Sequence, residues 1–166
     1  MNPLWSYFWP LFTAGLVLGA IAGLVGFRRK GKTAAPLAIG AAAALTAAAL
    51  WHGPLGAADR LTTRVERNAR QVLDYYEMSK VSAQLHRDPL TRTLVLSGPA
   101  DDFQTSELVR VMSQLPGVGN ARWTDKPGRP PLIAEAGTIA MLGFLFGLLL
   151  AYLVELRRRY NAQWTW

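Results

Sequence analysis

Two histidines, His52 and His86, and no cysteine set narrow limits on the chemistry open to this chain. Without cysteine there is no disulfide, no thiolate nucleophile and no Cys-ligated metal. Two histidines are too few for a His-rich metal site. No Ser/His/Asp set has a spacing that stands out, and no acid pair is placed for general acid/base work. No GxGxxG and no P-loop offers a phosphate cradle. Glu135 is the one acid inside the apolar runs, about one turn from the start of its run. There it reads as interfacial rather than as a relay, since a proton or ion path needs ionisable groups near the membrane midplane. The expectation is a protein that is not an enzyme and carries no metal or cofactor.

His52 ends an apolar run as Ala48-Ala-Leu-Trp-His52, which reads as a boundary histidine beside an interfacial Trp51. The spacing also resembles the Ala-xxx-His pattern of purple-bacterial antenna helices, which implies a pigment ligand. That pattern holds its histidine within the membrane, whereas His52 precedes Gly53-Pro54 at the edge. His86, between two strand-like runs, reads as a surface residue.

The elements that position these residues are dominated by long apolar runs. The chain is 51% hydrophobic and 17% charged, against about a quarter charged in an ordinary soluble domain. Residues 4–27 and 33–51 contain no charged side chain, and 131–154 contain only Glu135. Each reaches the roughly 20 residues that a helix needs to cross a ~30 Å hydrocarbon layer. The middle run, rich in alanine, inserts best as the second half of a hairpin with the first. Residues 1–13 carry no charge, so the first run reads as a retained span, not a signal peptide.

The net charge of +7 is concentrated beside these runs. Arg28, Arg29, Lys30 and Lys32 stand between the first two, and Arg157, Arg158 and Arg159 follow the third. Between His52 and Pro130, eleven Lys/Arg face nine Asp/Glu, which leaves no basic face for nucleic acid. Basic segments stay in the cytoplasm. Both clusters therefore predict the N-terminus and residues 52–130 outside, with the tail 155–166 inside. Trp5, Trp9 and Trp51 on the outer side, and Tyr160, Trp164 and Trp166 on the inner, fall where interfacial anchors belong.

Gly15, Gly19 and Gly23 recur at spacing four in the first run; Gly143, Gly147 and Ala151 repeat the device in the third. In lipid, association is driven by close packing, so such faces admit another helix backbone. They either pack within the chain, where the hairpin mate is the nearest candidate for the first run, or face a partner. Three slim helices predict partner contact somewhere.

Residues 57–126 read differently. Leu61, Val65, Ala69, Val72 and Tyr76 make a helical stripe. Val81, Ala83 and Leu85 alternate, Asp88-Pro89 turns the chain, and residues 92–98 read as a second strand of a hairpin. Asp101 with Gln104 reads as a capping box, opening a helix with Phe103, Leu108, Val111, Met112 and Leu115 inward. Pro116-Gly117 ends it, and residues 118–124 make a last strand. The fold class is three membrane helices plus one small α+β domain of α-β-β-α-β order, with Gly98 and Gly117 as turn glycines.

Over roughly residues 60–124 this pattern resembles the BON family of bacterial envelope domains. Leu94-Val-Leu-Ser-Gly98 matches its strand-to-glycine element. Leu115-Pro-Gly-Val118-Gly-Asn120 matches its helix, Gly-Val, strand element. The resemblance implies a periplasmic domain of a bacterial inner-membrane protein, with contact to phospholipid or envelope polymer. It departs from the family in having a single copy between spans. The expected role is an accessory or assembly subunit of a membrane complex, docking through glycine-faced helices. A membrane-anchored BON-type binding module and a pigment-associated subunit are the alternatives.

Overall fold

The computed structural model describes residues 2–28, 33–123 and 129–162. Arg29, Lys30, Lys32, Thr124, residues 125–126, Trp164 and Trp166 carried expectations that lie outside the described residues. The element order is α1 (Pro3–Arg28), α2 (Ala34–His52), α3 (Ala57–Tyr75), β1 (Ser82–Arg87), β2 (Leu90–Ser97), α4 (Asp102–Ser113), β3 (Asn120–Arg122) and α5 (Leu132–Ala162). Helices α1, α2 and α5 are each long and apolar enough to cross a membrane.

The chain forms two compact units. One comprises Met1–Tyr7 with Gly56–Glu135, the other Phe8–Leu55 with Ala136–Trp166.

In the first unit, β2 is the central strand, antiparallel to β1 and parallel to β3. Leu85, Leu94 and Ala121 are register partners and all are buried, so they mark the core face. Helix α3 lies against β1, and α4 lies against β3 and β2. Leu61, Val65, Ala69 and Leu73 of α3 and Leu108 and Met112 of α4 complete the buried apolar set.

Local chemistry explains the element ends. Asn2 Oδ1 accepts from the Leu4 amide at 3.0 Å, with Pro3 at the first helical position of α1. At α4 the capping box is complete: Asp101 accepts from the Gln104 amide at 2.7 Å, and Gln104 from the Asp101 amide at 3.1 Å. Helix α3 ends in a left-handed residue that is not glycine, Glu77, at φ 57°. The Met78 amide reaches back to the Leu73 carbonyl and the Glu77 amide to that of Asp74, the double closure of a Schellman motif.

Two expected core positions fail. Phe103 is 74% exposed rather than inward, because it lies about 140° round α4 from the buried Leu108 and about 180° from Met112. Tyr76 is 51% exposed and Val72 only half-buried. Leu73 takes the inner position, continuing at spacing four the buried row of Leu61, Val65 and Ala69. The last strand is also shorter than expected, Asn120–Arg122.

In the second unit, α1 and α5 meet through their glycines. A Cβ on Gly15 would fall on the Ala140 carbonyl oxygen, and one on Gly19 on that of Phe144. From the other side, a Cβ on Gly143 would fall on the Phe12 carbonyl, and one on Gly147 on that of Leu16. Backbone therefore touches backbone along the seam, which only glycine permits. Helix α2 adds its Gly40, Ala44 and Ala48 face. A Cβ on Gly40 would stand 2.6 Å from Ala22 Cβ and 2.9 Å from the Phe144 ring. The glycine face of α1 is thus closed by α5 and not by its hairpin neighbour α2. Alanine on α2 fits against side chains, whereas the α1–α5 crossing demands glycine on both helices.

Candidate functional site

The first unit spends much of its polar chemistry on its own sheet edges. Glu66 of α3 accepts from the Leu85 amide at 3.0 Å and from Arg87 at 3.1 and 3.2 Å. Arg70 donates to the carbonyls of Val81 and Ser79 and pairs with Asp74. These contacts occupy backbone groups along and just before the outer strand β1, where an open edge would otherwise recruit another strand. At the opposite edge, Ser113 Oγ accepts from the Ala121 amide at 3.1 Å, and the Trp123 indole donates to the Thr105 carbonyl.

Among the described residues, Arg92 of β2 and Glu135 of α5 form the most sheltered ion pair of this unit, 2.8 Å apart with side chains 16% and 17% exposed. The carboxylate of Glu135, read from the sequence as interfacial, is held by a guanidinium. The same unit includes the start of α1, where Arg64 of α3 donates to Ser6 Oγ at 3.1 Å. A Cβ on Gly117 would stand 2.6 Å from Val65 and 3.2 Å from Pro3. Gly117 has φ 101°, and Gly98 has φ 138° with the Lys80 carbonyl beside it. Both positions are turns that a side chain would strain.

The sheet face opposite the core carries an open hollow of about 360 Å³. Ser82, Gln84, His86, Asp88, Val95 and Ser97 line it, and the hydroxyls of Ser82 and Ser97 stand 2.7 Å apart. His86 is 8% exposed, so it is buried rather than superficial. Its Nδ1 lies 3.1 Å from the Pro89 carbonyl. Alternation with Ser82 and Gln84 gives the face of His86 but carries no signal of its burial. On the same face Thr93 Oγ1, and in its register partner Asn120 Oδ1, are buried without a hydrogen-bond partner. On α4, the hydrogen bond and charge of Glu107 raise the pKa of Arg110.

In the second unit, His52 is the last residue of α2, just before Gly53, whose amide closes on the Ala49 carbonyl. Among the described residues, no three His, Asp or Glu gather closely enough to hold a metal ion. At the far end of α5, Glu155 pairs with Arg159 at 3.0 Å and with Arg158 at 3.7 Å. Arg159 also donates to the Phe27 carbonyl of α1 at 3.3 Å.

The structure brings together Gly15, Gly19 and Gly23 with the α5 residues they face, and Gly143 and Gly147 with α1. His52 ends α2, Gly98 follows β2, and Gly117 lies in the turn between α4 and β3. No family model, no curated protein and no solved structure matches the chain.

Proposed function

We propose that the chain is a non-catalytic accessory or assembly subunit of a bacterial inner-membrane complex, with α1, α2 and α5 crossing the bilayer. The two basic clusters orient it with the N-terminus and the α+β unit on the periplasmic side and the tail in the cytoplasm. Its partners are other membrane subunits and the bilayer itself; its near-neutral α+β region offers nothing to nucleic acid.

The observation that carries this reading is the contrast between faces of the second unit. The glycine faces of α1 and α5 are spent on each other. Outward positions on α1 and α5 are bulky: Val17, Ile21, Leu142, Leu145, Leu149 and Leu153 are all about half exposed. These suit lipid chains. Helix α2 instead turns outward a stripe of Ala35, Ala38, Ala42, Thr46 and Ala49, flanked by the exposed Ile39, Leu45 and Leu50. At 100° per residue these five lie within a narrow arc, opposite the buried Gly40, Ala44 and Ala48. A smooth outward face is poor at covering itself with lipid and well shaped for the close approach of another helix. Docking is therefore assigned to α2, and not to the glycine faces.

Native gels of the mildly solubilised membrane test this: the chain should migrate with larger partners. Migration alone at monomer size would sink the proposal.

A second reading has its own support. The α-β-β-α-β order, with left-handed Gly98 and Gly117 at the two motif glycines, accords with a BON-type module binding phospholipid or envelope polymer. Retention of the full chain by purified sacculi, with no co-migrating subunit, would favour this reading over the first.

A further inference from the structure

The second unit carries an unbalanced charge in its sequence. In residues 8–55 and 136–166 the cations are Arg28, Arg29, Lys30, Lys32, Arg157, Arg158 and Arg159, and the sole acid is Glu155. Almost the whole net charge of the protein therefore belongs to the apolar unit. The structure shows how part of it is arranged. The side chain of Glu155 is only 12% exposed and sits between two guanidiniums, those of Arg158 and Arg159. Arg159 is fixed a second time, by its bond to the Phe27 carbonyl, one of the four acceptors at the end of α1 that the helix leaves unpaired. Phe27 packs edge-on against Tyr152, one turn before Glu155. Arg28 follows Phe27 at the end of α1 and is exposed. One sheltered carboxylate thus gathers two arginines where α1 ends in Phe27 and Arg28. The heads of Arg158 and Arg159 stay 63% and 67% exposed, with donors left over.

We infer that Arg28, Arg158 and Arg159 form a binding site for the phosphate of an anionic phospholipid, positioned by Glu155 at the cytoplasmic end of α1 and α5. The inference rests on the membrane-spanning reading. A guanidinium presents paired donors that match phosphate oxygens, and basic pockets between helices on the cytoplasmic side recognise lipid headgroups. The apolar runs that end here place acyl chains alongside. Inorganic phosphate offers the same oxygens without those chains, so the site commits to lipid. Arg157 supplies an internal control. It lies two residues from Glu155, about 200° round α5, and so projects from the other side of the helix.

Native mass spectrometry of the full chain in neutral detergent tests this, with phosphatidylglycerol and phosphatidylcholine as competing probes. The wild-type protein should retain phosphatidylglycerol preferentially. Arg158→Gln/Arg159→Gln should weaken that binding roughly thirtyfold, the effect of two cations beside an anionic headgroup. Arg157→Gln should retain most of it, and 50-fold excess inorganic phosphate should displace little. Equal retention of the two lipids by the wild type would overturn the site without any variant. An equal loss in Arg157→Gln would overturn it in favour of diffuse charge, and displacement by phosphate alone in favour of an ion site. Alkaline carbonate extraction separates the premises: release of the chain from membranes refutes the spans. A chain retained in the pellet but without lipid preference refutes only the site.

Discussion

Arg92 Nε donates to Glu135 Oε2 at 2.8 Å, joining the central strand of the sheet to the first turn of the longest helix. Both side chains are more than four-fifths sheltered, which separates this pair from the exposed Arg110–Glu107 pair. A sheltered charge that loses its partner keeps its desolvation cost. Glu135→Gln should therefore destabilise the α+β unit by about 1–3 kcal/mol. Arg92→Met combined with Glu135→Leu should cost less than the sum of the two single changes. Thermal melting of the detergent-solubilised chain, followed by circular dichroism, measures this cycle; strict additivity would show that the pair does not couple.

The α1–α5 seam makes a sharper distinction. Gly19→Ala places a methyl on the Phe144 carbonyl, where backbone must move, and should cost about 1–3 kcal/mol as overpacking. Gly137→Ala on α5 meets nothing nearer than Leu45 Cδ2 at 3.7 Å and should be neutral. Melting temperatures of the two variants decide the matter. Equal values would mean that the helices do not meet as described.

Glu77 sits at φ 57° in the closing turn of α3, where a Cβ is unfavourable. Glu77→Gly should raise stability by about 1 kcal/mol, the strain a side chain suffers in the left-handed region. A lower melting temperature would show that the Glu77 side chain contributes more than its backbone costs.

The elements themselves were legible because their signals are local. Uncharged runs of helix-spanning length, the Asp101/Gln104 box and the Asp88-Pro89 turn each depend on neighbours in sequence. What was illegible depends on partners distant in sequence. Nothing near Gly19 says that its face belongs to Phe144 rather than to the alanines of α2. Nothing near Arg92 announces Glu135, 43 residues away. His86 was misplaced because alternation assigns its face, shared with Ser82 and Gln84, but not its burial there. Phe103 was misplaced because it lies about 140° round the helix from Leu108 and about 180° from Met112, off the buried stripe.

Orientation is testable because the chain has no cysteine to remove. In intact cells an impermeant maleimide should label Glu107→Cys from the periplasmic side. It should label Tyr160→Cys only after the inner membrane is opened. The reverse pattern would overturn the orientation drawn from the basic clusters.

The central claim is that α2 meets another membrane subunit through its smooth outward face. Replacing Ala42 by p-benzoylphenylalanine and irradiating native membranes tests it most directly, with the same replacement at the lipid-suited Leu149 as the control. A discrete, heavier adduct from Ala42 alone, whose second chain is an integral membrane protein, is the result predicted. No protein adduct at Ala42, or the same adducts at both positions, would contradict it.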